Sequence, residues 1–349
     1  MKTFASDNYS GCLPEVLKYL SESVNLGHAP SYGEDEFTNA AKNLIIEHFG
    51  NRQLAIHFVM SGTAANVIAL DSLISKTGSI ITASSSHLIQ HESGGPHRML
   101  GAKIIGIDHN AGKVSPEAVQ KACEKERFWG RHATNPEVLS ISQPTEFGAC
   151  YSVDELSELS TLCHEHGLKL HMDGCRLFNA AAFLEVDLDQ ISFATGVDAL
   201  SLGGTKNGLM NAEAVLLKQP NLQSDLDYRS KQLLNLQSKH RFLSAQYEVL
   251  FSKQLWLKAA RSANRAAANL ADGLSSRKLA ELCFPVETNQ IFAYMPSKLA
   301  NELSEKFHFY IYGPGRKDGE LTVRLVTSFD TTDEDVNLLL AATESTKPS

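Results

Sequence analysis

A lysine on a glycine turn is the first feature of this sequence that needs a chemical explanation. The run "DALSLGG" (198–204) predicts a buried strand, and Lys206 follows it directly in "TKNG". A lysine usually lies in solvent because burying an ammonium group is costly, so a solvated loop is the ordinary explanation. A lysine held where a buried strand ends suits a chemical role instead. The residues that follow the other predicted strands distinguish a chemical role from a solvated loop.

Other chemically active side chains follow other predicted strands. In open α/β sheets, ligands bind outside the carboxyl ends of the strands, so residues at these positions are expected to meet. The residues concerned are Gly62, Thr63, His87, Asp173 and Arg176. Gly62 and Thr63 also begin a predicted helix, whose free backbone N–H groups suit a phosphate. An ordinary Ser/Thr helix cap explains that pair equally well when it is taken alone.

Common nucleotide and metal sites do not account for these residues. The first strand is not followed by GxGxxG, and GxxxxGK[ST] is absent from the sequence. His87, His91, Glu92 and His97 lie close together, but no later ligand has a recognisable spacing, and "GGP" at 94–96 interrupts the segment. The six cysteines have no CxxC spacing, which favours reduced thiols over disulfides or a zinc site. We therefore expect no metal site.

A phosphate cradle, a flat ring, a carboxylate and a lysine are together what pyridoxal 5′-phosphate requires. The lysine binds the cofactor aldehyde, the carboxylate pairs with the protonated pyridine nitrogen, the flat side chain stacks on the ring, and a helix N-terminus binds the phosphate. Lys206 would stand on a glycine turn because its amine must reach the cofactor, and Gly203 and Gly204 let the backbone approach closely. The sequence therefore predicts this cofactor.

The elements that must position these groups are short apolar runs alternating with helical patterns. Such alternation favours an α/β fold with a largely parallel sheet. The predicted strands are 54–60, 79–85, 102–108, 137–143, 168–174, 198–204 and 213–218. After about residue 220 the pattern is mostly helical, and three alternating strand-like runs and a closing helix follow. We predict a large cofactor-binding α/β domain over 1–244, with an N-terminal arm, and a small α+β domain over 245–349.

Composition limits the class of partner. The 349 residues are 43% hydrophobic and 21% charged, which is ordinary for a globular protein. The net charge of −8 and the lack of a Lys/Arg run argue against a nucleic-acid or anionic-lipid partner. The N-terminal segment has no signal-peptide pattern, and no window approaches 18 apolar residues. We expect a cytoplasmic protein that acts on a small molecule.

The motifs of this chain together resemble those of one enzyme family. "PSYGEDE", "SGTAAN", "SHLIQHESGG", "HMDGCRLFNA", "LGGTKNG" and "VRLVTSF" are similar to those of the threonine aldolases, in the β-eliminating lyase group of fold-type-I pyridoxal phosphate enzymes. The resemblance extends over nearly the full length. "TKNG" and "QPTE" are most similar to the branch that includes phenylserine aldolase. The resemblance implies a homodimer or a homotetramer, without choosing between them.

The resemblance also implies roles at the cofactor. Lys206 would bind the cofactor covalently, Asp173 would contact the pyridine nitrogen, and His87 would stack on the ring and assist proton transfer. Gly62 and Thr63 would hold the phosphate.

Further roles concern the substrate and a neighbouring subunit. Arg324 would clamp the substrate carboxylate, because its planar fork matches two oxygens. Arg176 would lie near a cofactor oxygen and that carboxylate, and Ser6 would add a hydrogen bond. Arg241 would reach the phosphate across a dimer interface, and Tyr32 would line a site shared between subunits. Without the resemblance, Arg324 fits an ordinary salt bridge better, and Ser6 and Tyr32 fit packing or capping equally well.

One segment departs from the family pattern. Where threonine aldolases have Glu-Asn-Thr-His, this sequence has Gln143-Pro144-Thr145-Glu146. The family histidine is thought to meet the substrate hydroxyl, so Glu146 either replaces it as base or acceptor, or the contact is lost. Threonine is therefore in doubt as the best substrate.

The reaction expected from the resemblance is retro-aldol cleavage of an L-β-hydroxy-α-amino acid (threonine, allo-threonine or phenylserine) to glycine and an aldehyde. The base is His87, Glu146 or a water. Two alternatives stay open. One is a β-eliminating lyase or racemase on the same frame, because the cofactor supplies the electron sink and the site only selects the bond. The other is a non-catalytic protein that kept the fold, against which the intact Lys206, Asp173 and Arg324 argue.

Overall fold

The computed structural model describes residues 3–343, and a seven-stranded sheet forms the centre of its larger part. The strands are β1 (Ala55–Val59), β2 (Gly78–Ala83), β3 (Lys103–Ile107), β4 (Asn135–Ser142), β5 (Lys169–Gly174), β6 (Ala199–Gly203) and β7 (Glu213–Leu217). Their order is β1-β7-β6-β5-β4-β2-β3, and β7 alone runs antiparallel to its neighbours. The predicted α/β class and all seven predicted strands are confirmed.

Helices cover the sheet and complete the larger part of the chain. They are α1 (Pro14–Tyr19), α2 (Glu36–His48), α3 (Gly62–Asp71), α4 (His87–Gln90), α5 (Gly95–Leu100), α6 (Pro116–Phe128), α7 (Val153–Glu165), α8 (Leu177–Leu184), α9 (Gln223–Gln232) and α10 (Arg241–Ser252). Local sequence sets their ends: α7 begins with a capping box in which Ser152 and Glu155 each bind the other's backbone N–H.

The two faces of the sheet are buried in different apolar clusters. Alternate residues of a strand point to opposite faces. In β1, Ile56 and Phe58 belong to the largest core cluster, whereas Ala55 and Val59 pack in a second cluster with residues of α3. This burial on both faces explains why strands such as β1 are mostly apolar and do not alternate between apolar and polar residues, as is usual for parallel sheets.

The smaller part of the chain is built on an antiparallel sheet. Its strands are β8 (Glu281–Leu282), β9 (Gln290–Pro296), β10 (Tyr310–Pro314) and β11 (Glu320–Val326), in the order β10-β11-β9-β8. Helices α11 (Leu255–Ser276), α12 (Ser297–Phe307) and α13 (Asp333–Ala342) pack with it. The N-terminal arm joins this core, because Phe4 is buried there and its carbonyl accepts a hydrogen bond from Val326 N–H at 2.7 Å.

Helix α11 connects the two cores. Trp256 and Ala260 lie in the large core cluster, and the stretch from Ala266 to Leu274 contributes to the small one. Helix α10 also packs within the large cluster, so the core changes inside α11, later in the chain than the boundary predicted between residues 244 and 245. The division into two domains is retained as a proposal. Within residues 3–343, no helix has both the length and the hydrophobicity needed to cross a bilayer.

Candidate active site

The turn that carries Lys206 is packed too tightly for side chains on its two glycines. A Cβ added to Gly203 would lie 2.4 Å from the carbonyl oxygen of Cys175, and one added to Gly204 would lie 2.5 Å from the carbonyl oxygen of Ala212. The N–H of Gly204 also donates to Glu213 Oε2 at 2.8 Å. These contacts fix the turn against the end of β5 and the start of β7.

One cavity gathers most of the residues expected at the site. It has a volume of about 450 Å³, and its lining includes Ser6, His87, Glu146, Arg176, Lys206 and Arg324. A narrower recess of about 40 Å³ shares His87, Glu146, Arg176 and Lys206 with it and adds Asp173. The ends of β2, β5 and β6 therefore deliver His87, Asp173 and Lys206 to one place, as the strand order requires.

Asp173 is held as a buried, ionised carboxylate. Its Oδ1 accepts the N–H of Cys175 at 3.0 Å, and its Oδ2 accepts an amide hydrogen of Asn66 at 2.9 Å. Burial alone would raise the pKa of Asp173. The two hydrogen bonds, together with the positive charge of Lys206, outweigh burial and hold this pKa below its usual value. Such a carboxylate can pair with a protonated ring nitrogen.

Lys206 forms no hydrogen bond or ion pair with any residue in the described part of the chain, and it lines both the cavity and the recess. Its amine is therefore available to an aldehyde.

Glu146 is tied to His87 through the backbone. Its Oε1 accepts the His87 N–H at 2.9 Å and the Ser142 hydroxyl at 2.7 Å. Burial raises the pKa of Glu146 despite these hydrogen bonds. A carboxyl group with a raised pKa is better able to exchange a proton near neutral pH.

The two arginines of the cavity have different partners. Arg176 forms a two-point ion pair with Asp7, with Nε 2.7 Å from Oδ2 and Nη2 2.9 Å from Oδ1. Arg324 donates only Nη2, to Gln290 Oε1 at 2.8 Å, in the contacts that the described residues make. Burial, with the nearby charge of Arg176, lowers the pKa of Arg324 to about 10. Positive charge is thus concentrated at one side of the cavity.

The start of α3 lies beside the recess. Ser61 caps the helix by accepting the N–H of Ala64, and the N–H groups of Gly62 and Thr63 have no acceptor within residues 3–343. A Cβ on Gly62 would lie 2.8 Å from Cys175 Sγ, so the helix begins against the segment that follows Asp173. This placement fits a phosphate group bound at the helix N-terminus.

Comparison with known proteins agrees with this geometry. The family model described as "Beta-eliminating lyase" matches residues 3–298. The low specificity L-threonine aldolase of Pseudomonas sp. (strain NCIMB 10558) is 37% identical over 97% of this chain and 96% of its own length. The enzyme of that name from Pseudomonas aeruginosa is also 37% identical, over 96% of this chain and 95% of its own.

This chain belongs to the β-eliminating lyase family, among the threonine aldolases.

Solved structures give the same family and fold. A structure of Leishmania major threonine aldolase superposes with a TM-score of 0.93, at 28% identity, and covers 99% of both chains. Aspartate aminotransferase from Thermus thermophilus has a TM-score of 0.68 at 15% identity over 97% of this chain and 89% of its own, which shows a shared fold alone. The fold is that of the fold-type-I enzymes, as predicted, and the cofactor of this threonine aldolase family member is pyridoxal 5′-phosphate.

The residues of the site fit that cofactor. Lys206 offers a free amine, Asp173 a buried carboxylate, and α3 two free N–H groups. These are the partners expected for the aldehyde, the protonated ring nitrogen and the phosphate respectively.

Neither Arg241 nor Tyr32 lines the cavity or the recess of its own chain. Arg241 donates Nε to the carbonyl of Val24 at 3.2 Å. Tyr32 is 49% exposed, with Lys231 Nζ 5.3 Å from its ring centroid. The roles expected for Arg241 and Tyr32 across a subunit interface stay predictions.

Several residues around the site were not assigned to it by sequence reasoning, which considered His91 and Glu92 only as metal ligands. They are Asp7, Asn8, Asn66, His91, Glu92, Gln290, Tyr310, Ile311 and Tyr312. Signals existed for some of them: Asp7 adjoins Ser6, Asn66 lies one turn after Gly62 and Thr63, and Glu92 belongs to the His87 segment. Among residues 3–343, no group of three or more His, Cys, Asp or Glu side chains is arranged to hold a metal ion.

Proposed function

We propose that this enzyme cleaves the Cα–Cβ bond of L-β-hydroxy-α-amino acids and releases glycine and an aldehyde. The observation that carries the proposal is that Lys206, Glu146 and Arg324 line one cavity, with Asp173 in its recess. An amino-acid substrate needs an anchor for its carboxylate and a base for its hydroxyl, and the cavity offers both. Two relatives named low specificity L-threonine aldolase, similar over nearly the whole chain, support this reaction class.

The cofactor, when bound, supplies the electron sink for the pair released by the broken bond. The residues of the chain hold and orient the cofactor and the substrate. Lys206 would provide the attachment, and the ionised Asp173 would pair with the protonated pyridine nitrogen. The N–H groups of Gly62 and Thr63 would hold the phosphate, and the His87 ring lies along the cavity wall.

Arg324 is the better clamp for the substrate carboxylate. Arg176 spends both arms of its fork on Asp7, whereas Arg324 commits only Nη2, to Gln290. The remaining Arg324 donors can bind two carboxylate oxygens. We therefore assign the clamp to Arg324. Arg176 orients Asp7 and adds positive charge, and Ser6 contributes a hydroxyl to the same cavity.

Glu146 is the group we assign to the β-hydroxyl proton. Its Oε1 is occupied by the His87 N–H and the Ser142 hydroxyl, which leaves Oε2 for the substrate. Burial raises the pKa of Glu146, which makes its carboxylate a stronger base than that of an ordinary glutamate. His87, whose ring lines the same cavity, is the competing base.

An aromatic wall supports a wide substrate range that includes phenylserine. Tyr310, Ile311 and Tyr312 line the cavity from β10, and each is between 42% and 48% exposed. The Tyr312 ring meets Phe292 edge to face, with centroids 5.3 Å apart. Covering a partly exposed aromatic ring with an apolar group is favourable, because it removes apolar surface from water. A phenyl ring covers more of that surface than a methyl group.

The experiment is aldehyde and glycine release from L-threonine, L-allo-threonine, both L-phenylserine diastereomers and the D counterparts, each supplied alone. The proposal predicts release from L isomers only, with benzaldehyde formed at least as fast as acetaldehyde. Release from the threonine isomers alone would remove the phenylserine assignment. No aldehyde from any substrate would overturn the aldolase proposal itself.

We further propose a cytoplasmic homodimer or homotetramer in which Arg241 and Tyr32 serve the site of a neighbouring subunit. The six free cysteines suit a reducing compartment. Light scattering gives the oligomeric state. Arg241→Ala should weaken cofactor binding, because the variant would lose the contact that Arg241 is proposed to make with the phosphate in the neighbouring subunit. The shared site would be contradicted if the protein is a monomer and Arg241→Ala binds the cofactor as tightly as the wild type does.

A further inference from the structure

Glu92 is a buried carboxylate that the proposed reaction does not use. Its side chain is fully buried. Oε1 lies 2.9 Å from His87 Nδ1 and 3.0 Å from Asn66 Nδ2, and Oε2 has no hydrogen-bond partner in the described part of the chain. A buried carboxylate with an unpaired oxygen costs free energy, so packing alone does not account for it.

Asn66 extends this contact to Asp173. Its Nδ2 donates to Glu92 Oε1 and also to Asp173 Oδ2, at 2.9 Å. The orientation of the amide follows from chemistry, because the reverse orientation would place Oδ1 against two carboxylates. An unbroken hydrogen-bonded chain therefore runs from His87 through Glu92 and Asn66 to Asp173.

We propose that Glu92 is a positioning residue that keeps the His87 proton on Nδ1 and leaves the Nε2 lone pair to the cavity. An ionised carboxylate only accepts hydrogen bonds, so the nitrogen beside it must donate. Nε2 has no partner among the described residues, and the His87 side chain is 42% exposed where it lines the cavity. The catalytic use of Nε2 rests on the proposed function, whereas the assignment of the His87 tautomer does not.

Asn66 makes the arrangement rigid. One amide holds both carboxylates, so the His87 ring and Asp173 keep a fixed relation to each other. The two groups expected at the face and at the nitrogen of the cofactor ring are thus positioned as one unit.

The first test needs no substrate and uses a variant only to identify the signal. Histidine-selective ¹⁵N NMR of the cofactor-loaded protein distinguishes protonated from bare ring nitrogens, and the signal missing in His87→Phe identifies His87. We expect a protonated Nδ1 and a bare Nε2. A bare Nδ1 with a protonated Nε2 would overturn the proposal. Because no substrate is present, this result stands even if the protein releases no aldehyde.

The second test compares two changes at Glu92. In Glu92→Ala, His87 should populate both tautomers. The value of kcat/KM should fall about ten- to a hundredfold, the range found when the outer hydrogen-bond partner of a metal-binding histidine is removed. In Glu92→Gln, the amide oxygen can still accept from His87 and Asn66, so the wild-type tautomer and most of the activity should return.

The matched control is Glu126→Ala. Glu126 is also buried and binds Lys103 Nζ from α6, at 2.7 and 2.8 Å. Its loss should lower stability without changing the His87 tautomer. The proposal fails if Glu92→Ala leaves the tautomer unchanged. It also fails if Glu92→Ala reduces kcat/KM equally in wild type and in His87→Phe, because Glu92 would then not act through His87.

Discussion

Gly203 packs directly on the backbone of Cys175, and an added Cβ would lie 2.4 Å from its carbonyl oxygen. Gly203 ends β6, two residues before the turn residue Thr205, and Cys175 directly follows β5. This contact joins the strand end that delivers Lys206 to the one that delivers Asp173. The spacing between the lysine and the carboxylate therefore depends on a residue without a side chain.

Gly203→Ala should displace the Lys206 turn. Backbone atoms cannot retreat as flexible side chains do, so we expect a loss of about 1–3 kcal/mol in the free energy of unfolding, together with weaker cofactor binding. Cofactor titration by visible absorbance and urea unfolding measure the two effects. Gly11→Ala is the matched control, since a Cβ there has nothing within 4 Å. Identical behaviour of the two variants would contradict the tight packing.

Asp7→Ala should destabilise the protein strongly, because it leaves the buried Arg176 guanidinium without its partner. Burial raises the pKa of Asp7, but the charge and hydrogen bonds of Arg176 outweigh it and lower that pKa overall. Breaking such a buried pair costs about 3–5 kcal/mol. Urea unfolding measures the loss. Asp189→Ala, which breaks the more exposed two-point pair with Arg52, should cost less. Equal losses would contradict the account.

Glu146→Gln should remove the acid limb of the pH–rate profile. Burial raises the pKa of Glu146, so its base form disappears at a higher pH than for an ordinary glutamate. Activity should accordingly fall as pH drops through that raised pKa. The variant should lose about 10²–10⁴ in kcat, the usual contribution of a general base. If Glu146→Gln keeps the acid limb while His87→Asn loses it, His87 is the base.

Glu213→Gln should flatten the pH dependence of stability. Burial raises the pKa of Glu213 to about 7, from an ordinary 4.5. The folded state thus binds the proton more tightly, and this stabilisation is complete below pH 4.5 and lost as pH rises through 7. Glutamine can still accept the Gly204 N–H. The difference in the free energy of unfolding between wild type and Glu213→Gln should change by on the order of 3 kcal/mol between pH 4.5 and pH 7. Denaturant unfolding without added cofactor measures it. Parallel pH curves would contradict the buried proton.

Much of the fold could be predicted because strands buried on both faces of the sheet are recognisable in the sequence as short, mostly apolar segments. Strands such as β1 and β6 are mostly apolar, with one buried polar residue each, His57 and Ser201. The residues just after such strands, including His87 and Lys206, had to meet at one sheet edge. Helix α11 contributes apolar residues to both cores, so its sequence pattern does not mark where one core ends and the other begins.

The unpredicted part of the site depends on side-chain direction. Sequence spacing cannot reveal that Asn66 bridges Glu92 and Asp173, since the two carboxylates are far apart in the chain. It also cannot reveal that Arg176 turns to Asp7 in the N-terminal arm. These contacts follow from rotamers and packing, which no single segment encodes.

The most direct test of the account measures the products formed from L-threonine by the wild type and by Lys206→Ala. We predict glycine and acetaldehyde in equal amounts from the wild type. Lys206→Ala should lose turnover and the visible absorbance of the lysine-bound cofactor. Formation of 2-oxobutyrate and ammonia, or of D-threonine, in place of acetaldehyde would contradict the cleavage reaction, and full activity in Lys206→Ala would contradict the role of the lysine.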